Sequence, residues 1–339
     1  MRLGSVLSEA LRNIGSGVSR AFAMFLAVLL SGTLLGGYEA MTVIDLESQA
    51  VQRINAYADV NAIVGGTVDG TACDRLSDAG DGMTGTLAGA MRAGEQVVPL
   101  ATPGKDISSY DVTPGMIRLI AGNAKADVSG VWVPRDVAKD FGLAVGSALQ
   151  TREGTTRVAG VFDWSNDGRD TRFAYAFIVP VSASASTFDE CWVKQWPVDG
   201  QMENLLYATL VAGSGSSNAG VTQVNKGFDA HYDARASYVN RSTRWMPWVG
   251  LAIGVLVGVR RRRLEYAGAL HSGQSKGAQL LGIGVETGVW AGLATFASCA
   301  LLLAYAVRMS RSDWAAVLAA AVRTPLAVFA GVMVASLFA

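Results

Sequence analysis

Charge, histidine and cysteine are all scarce in this 339-residue chain. Asp, Glu, Lys and Arg make up 17% of it, and the 28 basic side chains are balanced by 28 acidic ones. With no net charge there is no field to draw the chain to a polyanion, so nucleic-acid binding is a poor expectation. Two histidines (His231, His271) and three cysteines (Cys73, Cys191, Cys299) lie far apart, and cannot supply the closely spaced ligands of a structural zinc site. No G-x-x-x-x-G-K-[ST] stretch is present to cradle ATP phosphates, and Gly213-Ser214-Gly215 lacks the lysine. An H-E-x-x-H pair is missing too, which removes the commonest zinc-hydrolase signature. Short acidic spacing occurs at Asp163, Asp167 and Asp170, but Arg169 sits among these acids and the closing Glu of a calcium loop is absent. We read that stretch as a solvated turn.

What the chain has instead is apolar surface: half its residues are hydrophobic and its mean hydropathy is +0.30. Residues 21–38 are uncharged between Arg20 and Glu39, close to the roughly 20 residues that span a bilayer core. A cleaved signal peptide is the competing reading of that run. Residues 245–259 form a shorter uncharged run, which can cross if the following arginines snorkel and Trp245 and Trp248 mark the other interface. Residues 287–307 are long enough to cross unaided. In the last segment Arg323 interrupts the apolar stretch 314–339. Either 314–322 lies at the interface and 324–339 crosses, or one long tilted helix carries Arg323 inside to a partner. The first is favoured, with Arg323 and Trp314 as interfacial anchors and Pro325 in the first turn of the span.

The expected architecture is therefore a membrane protein of four transmembrane α-helices, with a large α+β extracytoplasmic domain between the first and second. Its segments are a cytoplasmic start (1–20), helix 1 (21–38), the outside domain with stalk helices (39–244), helix 2 (245–259), a cytoplasmic segment (260–286), helix 3 (287–307), an outer loop or interfacial helix (308–323) and helix 4 (324–339). Arg2, Arg12 and Arg20 before the first span, and Arg260 to Arg263 with Lys276 after the second, place both termini in the cytoplasm by the positive-inside rule. The same arginines could attract anionic membrane lipid.

The outside region carries 24 acidic and 17 basic residues, a net of −7. Residues 40–57 keep apolar positions three and four apart, which predicts a stalk helix rising from the first span. Residues 60–68 and 96–100 read as strands, and the Gly/Asp/Thr-rich stretch between them as turns and loops. Residues 131–162 read as a strand, a helix over 135–141 stopped near Gly142, a turn at Val145-Gly146, and two strands separated by Glu153-Gly154. Residues 175–180 add a strand, 213–220 a loop, and 221–232 a helix. Cys73 and Cys191 both fall outside, where oxidation is permitted, so a disulfide is expected between them, two free buried thiols being the alternative. Cys299 falls in the third span as a packing residue.

Two stretches carry a family resemblance. RRRRLEYAGALHSGQSKGAQLLGIGVE at 260–286 is similar to the cytoplasmic pattern of permease subunits in the MacB and FtsX superfamily of ABC transporters. There a basic helix end is followed by Glu, small apolar residues, a Gly-containing turn and an amphipathic run into the third span. Residues 131–162 resemble the periplasmic core of MacB-type permeases, in which a helix ending in Gly-Leu-x-Val-Gly precedes paired strands. The chain departs from the pattern at His271 and Ser272, and in lacking the basic tail that many members carry.

The resemblance implies a non-catalytic, dimeric permease in a bacterial plasma membrane, whose second copy or homologue completes the assembly. A partner ABC-type ATPase would bind the ATP and Mg, this chain needing no cofactor or metal of its own. The residues implied in ATPase coupling are Arg260, Arg261, Arg262, Arg263, Glu265, Ala269, Leu270, Gly273, Gln279 and Leu280. The implied activity is export of an amphipathic or hydrophobic molecule, a peptide or lipid-linked compound, by movement of the outside domains. The alternative is an FtsX-like transmitter that regulates an extracytoplasmic cell-wall enzyme. A membrane enzyme is the third and least favoured class.

Overall fold

The computed structural model describes residues 8, 12, 15, 21–78, 86–100, 107–122, 127–196, 198, 200–213, 218–228, 232, 234–258, 275–310 and 313–338. They form two compact units, Met1–Gln49 with Ala234–Ala339, and Ala50–Asp233.

The first unit is helical. α1 (Ala21–Asn55) runs unbroken through the expected first span and stalk, so the two predicted segments are one helix of 35 residues. Its residues beyond Gln49 belong to the second unit. Phe22, Leu26, Leu30 and Leu34 recur at every fourth position and are exposed, as the lipid-facing side of a span would be. After α6 (Ala234–Asn240; α2 to α5 belong to the second unit) and a 3₁₀ turn at Ser242–Trp245 come α7 (Met246–Gly258), α8 (Lys276–Met309), α9 (Trp314–Ala321) and α10 (Arg323–Phe338). Three stretches are long and apolar enough to cross a membrane: Ala21–Asn55, Lys276–Met309 and Trp314–Ser336. Among the described residues α7 covers 13 positions, about 20 Å at 1.5 Å per residue, which is short of that length. It packs along α10 almost backbone to backbone. A Cβ at Gly254 would lie 2.2 Å from the Val328 carbonyl oxygen, and one at Gly331 would lie 2.3 Å from that of Leu251.

The last segment, Trp314–Ser336, is long and apolar enough to cross as one stretch, with a break within it. The helix pauses at Val322 and resumes at Arg323, so Arg323 opens the helix that was expected to begin at residue 324.

The second unit is built on a nine-stranded mixed sheet ordered β11-β1-β10-β3-β4-β8-β5-β7-β6. In chain order its elements are β1 (Val60–Val64), β2 (Val68–Asp69), α2 (Gly70–Arg75), β3 (Leu87–Ala93), β4 (Ser109–Val112), α3 (Pro114–Ile120), β5 (Val131–Pro134), α4 (Arg135–Asp140), β6 (Ala148–Thr151), β7 (Gly154–Phe162), β8 (Phe177–Pro180), β9 (Thr187–Phe188), β10 (Glu190–Lys194), α5 (Gly200–Tyr207) and β11 (Gly220–Gln223). β4 with β8 and β5 with β7 are the parallel pairs; the other neighbours run antiparallel. β2 and β9 make a separate two-stranded sheet.

Local signals fix several elements. Asp69 caps α2, its carboxylate accepting from the Thr71 and Ala72 amides at 2.8 and 3.2 Å. Pro114 opens α3 where no amide is needed. α4 stops before Gly142, whose φ is +61°, as expected from sequence. The hairpin β6–β7 turns over Arg152 and Glu153, with Thr151 paired to Gly154.

Three expectations fail here. The stretch before residue 96 holds β3, a central strand, and not only loops; its residues are small because α3 lies directly on it. Residues 96–100 make isolated bridges at Val97 and Pro99 instead of a strand. Residues 221–232 hold no helix among the described residues: they begin inside β11, which pairs with β1, and turn at Asn225. The Asn225 amide donates to the Ala56 carbonyl at 2.7 Å, and its oxygen accepts from the Gly227 amide at 2.9 Å, which fixes that turn.

Cys73 on α2 and Cys191 on β10 are joined by a disulfide with Cα atoms 5.8 Å apart, as the sequence leads one to expect. Both are fully buried, in a core with Ile63, Val68, Phe188 and Leu206. A second core of the same unit gathers Trp132, Phe162, Trp164, Phe173 and Trp192, with β10 contributing Cys191 to the first and Trp192 to the second.

Candidate functional site

Of the ten residues implied in ATPase coupling, Arg260, Arg261, Arg262, Arg263, Glu265, Ala269, Leu270 and Gly273 lie outside the described residues. Gln279 and Leu280 are placed in the first turns of α8. Ser275 caps that helix, its hydroxyl accepting from the Ala278 amide at 3.3 Å. Residues 273–277 spell G-x-S-x-G, a nucleophile-elbow pattern. Ser275 serves as a helix cap on a helix continuous with an apolar span, a context unlike the strand-to-helix turn of an elbow.

The helical unit instead concentrates its polar contacts at Glu39, a fully buried carboxylate on α1. Three donors converge on it. The Tyr238 hydroxyl from α6 and the Arg323 guanidinium from α10 reach one oxygen, and the Thr324 hydroxyl reaches the other at 3.0 Å. Arg323 also donates to the Tyr238 hydroxyl and, at 3.2 Å, to the Ala320 carbonyl. Burial pushes the Tyr238 phenol up to about 12, reinforced by its bond to Glu39, so it stays a neutral donor at any physiological pH. A buried carboxylate is costly unless paired and hydrogen-bonded, and here it is both.

Nearly three turns before Glu39 along α1, the Ser298 hydroxyl of α8 donates to the Leu29 carbonyl at 3.2 Å and to the Ala294 carbonyl at 3.0 Å. α1 is thus joined by polar contacts to α6, α8 and α10. Arg323, expected from sequence as an interfacial anchor, is partly exposed and paired with Glu39. Glu39 was read only as the edge of a span. A lone acid closing one apolar run and a lone base interrupting another were the available signal.

The other end of α1 is held within the sheet unit. Arg169 donates to the Asn55 carbonyl at 3.0 Å, and Lys194 donates to the Ile54 carbonyl at 2.7 Å and to Asp59 at 3.0 Å. Cations at a helix C-terminus satisfy its orphan carbonyls and suit its dipole. The Arg169 guanidinium stacks 4.5 Å from the Tyr57 ring and 5.1 Å from Trp164. It is 6% exposed, so this arginine is buried while Asp163 and Asp167 in the same turn stay exposed to solvent. Each acid of that stretch is paired with arginine: Asp163 with Arg135, Asp167 with Arg169, Asp170 with Arg172. Among the described residues no cluster of His, Cys, Asp or Glu suits a metal ion.

No protein-family profile matches the chain, and no curated protein matches it. Among solved structures, the periplasmic region of MacB from Actinobacillus actinomycetemcomitans is similar at 11% identity and a TM-score of 0.36, over 56% of this chain and 97% of that one. A domain assigned to a permease protein from Porphyromonas gingivalis is similar at 12% identity and a TM-score of 0.34, over 49% of this chain and 88% of that one.

Proposed function

We propose that this protein is an ABC transporter permease subunit of MacB/FtsX type, which passes movement driven by a separate ATPase to its α+β domain and so exports an amphipathic or hydrophobic molecule. The observation that carries the reading is α1. One unbroken helix, apolar over its first half, is cross-linked by polar contacts at Glu39 and gripped at its last carbonyls by Arg169 and Lys194. A helix tied at both places passes on displacement instead of absorbing it, the rigid-body kind of transition.

In this reading α7 crosses as a fourth span with help from its flanks, and both termini are cytoplasmic. Arg260 to Arg263, Glu265, Ala269, Leu270, Gly273, Gln279 and Leu280 dock the ATPase, which binds ATP and Mg. A second copy or a homologue completes the dimer, and membrane lipid contacts the basic segment.

The test is purification of the tagged full chain from its native membrane in mild detergent, with identification of co-purifying proteins and an assay of ATP hydrolysis. A stoichiometric P-loop ATPase, lost on Glu265→Ala or Gly273→Leu, is the expected result. Retention of no ATPase under several mild conditions refutes the reading. An FtsX-like transmitter would use the same α1 but bind a cell-wall hydrolase outside; accumulation of a hydrophobic compound in a deletion strain distinguishes export from that alternative.

A further inference from the structure

The helical unit keeps one face that no other helix covers. α7 turns its glycines to α10: a Cβ at Gly250 would lie 3.1 Å from the Thr324 carbonyl oxygen, and the approach at Gly254 is closer still. The opposite side is open and carries large residues. Trp245, Trp248, Ala252 and Leu256 follow one another at spacings of three and four, which places them on one side of a helix. Trp245 is 54% exposed, Trp248 65% and Leu256 75%, and Val249 and Val255 beside them are exposed as well. Helices meet inside a bilayer through small residues, and those of α7 are already engaged with α10. A stripe of Trp, Val and Leu therefore suits lipid and not a further helix. From Trp245 to Leu256 the chain rises about 16 Å at 1.5 Å per residue, close to half of a hydrocarbon core of roughly 30 Å. The stripe is one leaflet deep.

The Trp245 end of the stripe carries positive charge that the protein leaves largely unanswered. Arg241 and Arg244 flank the 3₁₀ turn, three residues apart, a spacing that sets two side chains on one edge of such a turn. Among the described contacts Arg241 has one acid, Asp45, at 3.8 Å with both side chains about half exposed, a pair worth little. Arg244 is exposed and has no acidic partner among the described residues. Two neutral groups hold it instead: its guanidinium donates to the Val239 carbonyl at 2.9 Å and lies over the Trp245 ring at 4.9 Å. One of its five N–H groups is used in this way and the others are left to a ligand. The first turn of α7 contains no acid, and its dipole disfavours cations at that end, so the helix itself does not account for the two arginines. An anion would.

A guanidinium fork matches phosphate oxygens, and an apolar stripe one leaflet long matches an acyl chain. We propose that the Arg241–Arg244 end of α7 binds the phosphate of an anionic phospholipid, whose acyl chain lies along Trp248, Val249 and Leu256. The proposal rests on α7 lying in the bilayer, as in the permease reading above, but not on an ATPase or on export.

The test uses the full chain in phosphatidylcholine nanodiscs, doped with a phosphatidylglycerol probe that carries a diazirine on the first carbons of one acyl chain; adducts are mapped by mass spectrometry after irradiation. Saturable adducts at residues 245–249 are expected, displaced by added phosphatidylglycerol and not by added phosphatidylcholine. Arg244→Gln should lower them roughly fivefold, the worth of one arginine beside an anionic headgroup, and Arg244→Lys should lower them less. Arg244 is exposed, so neither change disturbs packing. Arg152→Gln makes the same charge loss in the β6–β7 turn and should leave the adducts unchanged. Adducts near residue 257, from lipid of the other leaflet, are the internal control and should not respond to Arg244→Gln. Equal labelling by a phosphatidylcholine probe of the same design, or labelling indifferent to Arg244→Gln, makes the face a general membrane anchor and overturns the proposal. Cross-links between two copies at residues 245–249, in place of lipid adducts, make it a protein interface and overturn it too. Saturable labelling in a protein that retains no ATPase would leave the lipid site standing and remove the permease reading; an ATPase retained without that labelling would do the reverse.

Discussion

Removing Arg323 is the most direct probe of the Glu39 cluster. Glu39 has no exposed surface, and Arg323 is its one charged partner among the described contacts. Breaking a fully buried pair costs about 3–5 kcal/mol, whereas an exposed pair is worth about 0–1 kcal/mol. The Arg323 side chain is 46% exposed, and the Tyr238 and Thr324 hydroxyls stay on the carboxylate after its removal. Arg323→Met should therefore fall between those limits, at about 2–3 kcal/mol. Glu39→Gln keeps the shape and leaves the cation able to reach water, so it should cost about 1 kcal/mol. The double variant holds no stranded charge and should be more stable than Arg323→Met alone. Reversible unfolding of the purified protein in mixed detergent micelles, followed by tryptophan fluorescence, gives the four free energies of the cycle. If the two single changes simply add, the pair is not coupled and Glu39 does not organise the helix ends.

Three further outcomes follow from the sheet unit. Replacing Cys73 and Cys191 by alanine should lower its stability by about 2–4 kcal/mol, read from urea unfolding, and in the native protein neither position should react with a maleimide. Arg169→Met strips a partner from Asp167 and from the Asn55 carbonyl, and should raise amide exchange in the last turn of α1 with little change in the first. Hydrogen bonds from Arg169 hold the Asp167 carboxyl below the usual range. Its stabilisation is complete above the unfolded value of about 3.9 and is lost as pH falls through the depressed one. Acid titration followed by tryptophan fluorescence should show this loss, and it should be absent in Arg169→Met.

Much of the layout was legible because charge is excluded from long apolar helices: the uncharged runs at 21–38 and 287–307 lie inside α1 and α8. Residues 131–162 were legible for a different reason, their turns being local and marked by Gly142 and Gly154. β3 was not, because its small residues record the proximity of α3, and proximity leaves no hydrophobic signature in the strand itself. The valines at 221 and 224 have a helical spacing, yet pairing with a strand 160 residues earlier decides their conformation. Glu39 and Arg323 are 284 residues apart, and no local pattern joins them. The cysteines could be paired since two of the three shared one compartment.

The strand order also governs how the chain is made. β1 lies between β10 and β11, so Val60–Val64 finds its neighbours only after about 130 to 160 further residues have left the ribosome. At 5–20 residues per second that is a wait of roughly 7–30 s with an apolar strand unpaired. Cys73 waits for Cys191 over 118 residues, slightly less. The strands from β3 to β8 can pair among themselves by residue 180 and β1 joins last, so sequence changes that slow synthesis between residues 75 and 190 should lower the yield of folded protein without altering the stability of what does fold.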